Sequence, residues 1–196
     1  MDLVLVRHAR PERIDGGDGP ADPELTPLGH RQAAAMAALL GTESFDAIYV
    51  SSMVRARQTA APLEAALGLT AVLSPGVREF DATDRHYVPV EELKADKALW
   101  QKTVDRFQNE DMTAFSATVV ETIEQIIADH RGHRVAVVCH GGVINVWAAH
   151  VLGLAPRPFV DVGYTSISRF VASSTGIRSV FSLNELPHLR GTDLLI

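Results

Sequence analysis

Val135–Ile144 reads VAVVCHGGVI, five apolar residues without polar alternation, then a histidine, two glycines and a return to apolar residues. Such a run fits a strand covered on both faces, the usual condition of a parallel sheet. The glycines mark the turn into a helix that ends at Gly153. Leu3–Val6 is a second unalternating run, followed at once by Arg7 and His8. Ala47–Val50 and Thr70–Leu73 read as further strands, and Ser166–Ala172 with Ile177–Leu183 as a closing pair.

Helical patterns fill the intervals. Thr26-Pro27 offers an N-cap and a first-turn proline for a helix running to Gly41, and Val54–Leu67 stops at Gly68. A third helix is expected over Val90–Phe107, with Leu93, Trp100, Val104 and Phe107 on one stripe that reads as core packing. A fourth carries Val119, Ile123, Ile126 and Ile127 and ends near Gly132. Strands alternating with helices predict an α/β fold: a three-layer α/β/α sandwich around a mostly parallel sheet. One domain is expected over residues 1–196. Residues 10–24 read as a long polar loop and residues 81–111 as a small helical cap insertion, the two together shaping a pocket.

A formal net charge of −6, with no Lys/Arg run, speaks against nucleic-acid and anionic-membrane partners. An anionic substrate would need a local arginine cluster. Cys139 is the only cysteine, so no internal disulfide forms and a cytoplasmic location is expected. Leu3–Val6 is too short for a signal-peptide core, and no apolar run approaches the ~20 residues of a membrane helix.

Ligands of an open α/β sheet bind beyond the carboxyl ends of its strands. Arg7 and His8 follow the first strand, Arg55 lies five residues past Val50, Glu79 six past Leu73, and His140 directly after Cys139. Two guanidiniums can neutralise a phosphate dianion. A neutral imidazole is a competent nucleophile toward phosphorus, and a second can stabilise the transferring group. A carboxylic acid can protonate the departing oxygen and then activate water. Gly141 and Gly142 let helix amides approach an anion. Taken singly, each residue is more often a surface charge or a hydrogen-bonded core histidine. Their joint arrival at one sheet edge is what favours a site.

These residues carry a family resemblance. Arg7-His8-Ala9, LTPLGHRQA (Leu25–Ala33), SSMVRARQTA (Ser51–Ala60), VREF (Val77–Phe80), VCHGGVI (Val138–Ile144) and SLNELPHL (Ser182–Leu189) resemble, in order, the motifs of the histidine phosphatase superfamily, which is similar to cofactor-dependent phosphoglycerate mutase. The resemblance implies His8 as the phosphorylated nucleophile, Arg7, Arg55 and His140 as phosphate ligands with the Gly141 amide, and Glu79 as general acid and base. It implies a small phosphorylated substrate and neither metal nor organic cofactor. Three departures stand out. Ala9 replaces the usual glycine; Arg10-Pro11 replaces a Glu/Gln-Thr pair, Arg10 reading as an exposed loop charge; and the loop after Glu79 lacks the usual glycines, leaving Asp81 and Asp84 as competing proton donors.

Other chemistries fit poorly. A cysteine phosphatase needs arginine six residues after Cys139, where Asn145 stands. No Walker, GxSxG or HExxH pattern is present, and His130 and His133 read as helix-end residues. Within the family, a mutase is the alternative to hydrolysis; outside catalysis, a phosphate-binding protein on the same scaffold. The oligomeric state is left open.

Overall fold

The computed structural model describes residues 1–109 and 112–196, with the side chains of 107–109 outside that description. The Phe107 end of the expected stripe and the Asp111 boundary of the insertion therefore lie outside the described residues. The strands are β1 (Asp2–Arg7), β2 (Ala47–Val50), β3 (Val72–Leu73), β4 (Arg134–Cys139), β5 (Ile167–Ala172) and β6 (Arg178–Glu185). The helices are α1 (Pro27–Leu40), α2 (Val54–Leu67), α3 (Val90–Ala95), α4 (Lys97–Asn109), α5 (Thr113–Asp129) and α6 (Gly141–Leu152).

The unalternating runs have a direct cause. Leu3, Leu5, Val135, Val137 and Cys139 enter the core on one face of the sheet, and Val4, Val6, Ala136 and Val138 the core on the other. Ile123, Ile144 and Trp147 of α5 and α6 fill the first core; Met36, Leu40 and Leu63 of α1 and α2 fill the second. Burying one such side chain contributes about 1.5–3 kcal/mol, so both layers are needed. The sheet order is β3-β2-β4-β1-β5-β6. β3, β2, β4 and β1 are parallel, and β5 opposes both β1 and β6, so the sheet is mostly parallel as expected.

Helix ends follow their local chemistry. Thr26 accepts from Gly29 N at 2.9 Å to cap α1, and Gly68 and Gly153 close α2 and α6 at φ 65° and 66°. Two expectations need correction. The strand at Thr70–Leu73 is only Val72–Leu73, an exposed sheet edge with one neighbour. The single helix over Val90–Phe107 is two, because Asp96 leaves helical geometry and its carboxylate accepts from Ala98 N (2.9 Å) and Leu99 N (3.1 Å), capping α4. Among the described residues no helix is long and apolar enough to cross a membrane.

Candidate active site

Strand register assembles the centre. β1 and β4 pair Arg7 with Cys139, so the next residues, His8 and His140, emerge side by side with ring centroids 5.1 Å apart. His8 N donates to Cys139 O at 2.9 Å, extending the ladder to the sheet edge. Ser51, directly after β2, donates its amide to Val138 O, and Arg55 rises from the first turn of α2. Glu79 follows a 3-10 turn, Pro75–Val77, beyond β3.

His8 has a defined tautomer. Its Nδ1 lies 2.8 Å from Ala9 O, and a carbonyl can only accept, so Nδ1 carries the proton and Nε2 holds the lone pair. Burial first, then the charges of Arg55 and Arg7, push the imidazole well below its usual range and keep it neutral. Ala9 does not intrude: its side chain packs in a small cluster with Leu25 and Ala33, and its amide donates to Thr59 Oγ1 at 2.9 Å.

The ionisable groups around His8 are almost completely buried. Arg55 and His140 are 0% exposed and Arg7 8%. Arg7 donates to Val162 O and lies 4.2 Å over the Tyr164 ring; Arg55 lies 4.8 Å from Tyr87 and donates to Asp81 at 3.4 Å. Yet Arg7 Nε, Arg55 Nε and Nη1 and His140 Nδ1 are buried with no partner. An unpartnered buried donor costs about 1–3 kcal/mol, more when charged, which an anion among them would offset. His140 is held from behind by Ser51 Oγ, 2.8 Å from its Nε2. Burial, followed by Arg55 and His8, lowers this imidazole as well.

Glu79 faces the amino end of α6. Its Oε2 accepts from Gly142 N at 2.9 Å and its Oε1 from Phe80 N at 3.1 Å. Burial, then the Asp81 charge, raises it to about 7, against the two amide hydrogen bonds and Arg55. Of the competing acids, Asp84 is paired with Arg106 of α4, whereas Asp81 lies within the site on Arg55 and burial raises its carboxyl as well. Gly142 has a geometric reason to be glycine, since a Cβ there would overlap Glu79 Oε1. Gly142→Ala should therefore displace the carboxylate and lower kcat about 100-fold, the scale of a 1 Å misplacement, while leaving the circular dichroism of the fold unchanged. An unchanged kcat would remove the positional argument for Glu79.

The expected site residues Arg7, His8, Arg55, Glu79, His140 and Gly141 all gather at this edge. Other contributors are visible only in three dimensions. Ser51 positions His140, and Tyr164 and Tyr87 support the two guanidiniums. Asn145 spends its whole amide on the 159–162 segment and α6: Nδ2 donates to Gly141 O and Val160 O, and Oδ1 accepts from Phe159 N and Val160 N. Cys139 is fully buried in the core, and burial raises its thiol far from the thiolate range. His130 ends α5, with its Nε2 2.9 Å from Tyr49 Oη. No group of three or more metal-capable side chains occurs among the described residues.

A cleft of about 430 Å³ is lined by Arg7, Gly141 and Gly142, by Trp100, Thr103 and Val104 of α4 and by residues 157–162. Trp100 and Val104 line it, so these two residues form a cleft wall rather than the core packing expected of them. Residues 10–24 do not line it. They pair instead with residues 87–92, through an Ile14–Tyr87 bridge and the Arg10–Glu91 and Arg13–Glu92 ion pairs. Arg10 is thus part of an ion-pair cluster and not an isolated loop charge.

Comparison with known proteins agrees with this architecture. A family profile described as histidine phosphatase superfamily (branch 1) matches residues 3–184. A Schizosaccharomyces pombe protein named a probable phosphatase is 31% identical over 98% of this chain and 97% of its own length. A Yersinia enterocolitica protein named a probable phosphoglycerate mutase is 26% identical over 80% of this chain and 77% of its own. The crystal structure of a mutant phosphoserine phosphatase from Entamoeba histolytica, in complex with phosphoserine, superposes with a TM-score of 0.75 at 24% identity, covering 96% of this chain and 98% of that one.

Proposed function

The chain belongs to branch 1 of the histidine phosphatase superfamily, and we propose that it hydrolyses small phosphomonoesters through a phosphohistidine formed on His8. The observation that carries this reading is the ring of unpartnered buried donors on Arg7, Arg55 and His140 around a histidine whose Nε2 lone pair is free. One domain over residues 1–196, with the insertion as its cap, performs the reaction.

Arg7, Arg55, His140 Nδ1 and the Gly141 amide hold the phosphoryl oxygens. His8 Nε2 attacks phosphorus, and the ester P–O bond breaks as the protonated Glu79 gives its proton to the leaving oxygen. Glu79, now a carboxylate, takes a proton from water as that water attacks phosphorus. The P–N bond breaks, the electron pair returns to Nε2, and inorganic phosphate leaves. His140 donates throughout to oxygens that gain charge in each transition state.

The pH dependence follows from the two ends of this proton path. Glu79, raised to about 7, is an acid below that pH and loses the role above it. The imidazoles, lowered by burial and the arginines, stay neutral well below their usual range, so substrate protonation at about pH 6 sets much of the acid limb. A plot of kcat/KM against pH should be a bell with its basic limb near 7. Activity that climbs steadily beyond pH 9 would contradict the scheme.

The reading is tested by phosphate release from p-nitrophenyl phosphate without added metal, beside 3-phosphoglycerate with and without a bisphosphate primer. Hydrolysis that needs no primer is expected. Primer-dependent isomerisation of phosphoglycerate without phosphate release would assign the chain to the mutase reaction instead.

A further inference from the structure

The phosphoryl site accounts for the sheet edge but not for the cleft beside it. We infer that this cleft receives the leaving group, and that the enzyme prefers phosphomonoesters of alcohols bearing an aromatic ring over those of small hydroxy acids; the inference rests on the hydrolase reading above.

Position is the first argument. Arg7, Gly141 and Gly142 line the cleft, and Gly142 N holds the Glu79 carboxylate. A leaving oxygen within reach of the Glu79 proton therefore has its carbon substituent directed toward the cleft mouthed by these residues.

Wall chemistry is the second. Phe80, Val90, Trp100, Val104, Phe159 and Val160 are among its lining residues. The polar groups among them are nearly all in use. Asn145 has four hydrogen bonds to backbone, Thr103 Oγ1 donates to Leu99 O, and Lys94 and Asp161 hold each other at 2.6 Å. Arg7 donates to Val162 O and, on the reading above, to the phosphoryl group. Arg157 is the remaining charge, and it is exposed.

A leaving group such as serine or glycerate could find counter-charges only at the exposed Lys94–Asp161 pair and Arg157, and would leave the apolar lining unused. An aromatic ring would exchange water for Trp100 and Phe159, with favourable apolar burial and offset or edge contacts. Size agrees. About 430 Å³ lies in the range of pockets that enclose a ring-bearing molecule, well beyond a three-carbon acid.

The test compares ethyl phosphate, 2-phenylethyl phosphate and phosphoserine. The first two have leaving alcohols of nearly equal reactivity, so their ratio reports the cleft rather than the bond broken. Because one methylene in an apolar pocket is worth about 10–200-fold, the phenyl ring should raise kcat/KM about 100-fold over ethyl phosphate, with phosphoserine below 2-phenylethyl phosphate. Trp100→Ala should cut the phenylethyl-to-ethyl ratio about 10-fold, Phe159→Ala should reduce it from the opposite wall, and Trp100→Phe should restore most of it. A ratio near one, a ratio indifferent to both alanine variants, or preference for phosphoserine would overturn the inference.

Binding of the two alkyl esters to His8→Ala, followed by calorimetry, separates this inference from the reaction on which it rests. If the wild type hydrolyses nothing while the variant binds the phenylethyl ester about 10-fold more tightly than the ethyl ester, the cleft assignment stands and the hydrolase reading falls. Equal binding of the two esters removes the cleft assignment whatever the turnover.

Discussion

His8→Ala should lower phosphomonoester turnover by at least about 10⁴-fold, the scale on which enzymes lose activity when a covalent nucleophile is removed. The expectation follows from the isolation of Nε2. Nδ1 is committed to Ala9 O, and the sole sulfur nucleophile, Cys139, is buried with its thiol held protonated. The His140 ring is tied to Ser51 through Nε2, and in this account its Nδ1 donates to phosphoryl oxygens rather than attacking phosphorus. The variant should still bind inorganic phosphate or vanadate, because Arg7, Arg55 and His140 remain. Retained binding with lost turnover separates catalysis from the ligand-binding alternative. Equal turnover by the two proteins would end the phosphohistidine account.

Glu79→Gln should cost about 10²–10⁴-fold with alkyl phosphates, the range for loss of a positioned general acid and base. The amide keeps the shape and can still accept from Gly142 N at the cost of the Phe80 N hydrogen bond, so the loss reports mainly proton transfer. With p-nitrophenyl phosphate the first step should suffer far less, because p-nitrophenolate leaves without a proton. Water activation would still be impaired, so phosphoenzyme should accumulate with that substrate. The basic limb near pH 7 should disappear as well. Asp81→Asn is the informative control, since Asp81 hydrogen-bonds Arg55 and raises Glu79. If Asp81→Asn abolished the limb and Glu79→Gln did not, the roles of the two acids would be exchanged.

Much of the fold was readable because burial leaves a simple trace. Leu3–Val6 and Val135–Cys139 lack alternation since both faces are covered, and that pattern alone implied helices on either side. Thr70 and Ala71 looked like strand by composition but fall outside β3, whose single neighbour pairs only Val72 and Leu73. Asp96 was hidden within a helical stripe, although aspartate is a natural N-cap; only the backbone shows that it starts α4. Trp100 fitted a core stripe equally well, because periodicity shows which residues share a face and not whether that face meets a core or a cleft.

The site divides along the same line. Arg7, His8 and His140 stand directly at strand ends, so parallel pairing was enough to bring them together. Arg55 and Glu79 required the longer inference that their loops return to the same edge. Ser51, Asn145 and Tyr164 left no such signal. Their parts depend on tertiary contacts: a hydroxyl behind His140, an amide fastening a loop to α6, and a ring under Arg7 at the entry to β5.

The most direct measurement is rapid acid-free quenching of the enzyme during turnover, followed by peptide mass spectrometry. The account predicts an added phosphoryl group on the peptide containing His8, stable to alkali, lost in acid and absent from His8→Ala. Turnover with no phosphorylated His8, or with the group on another residue, would contradict it.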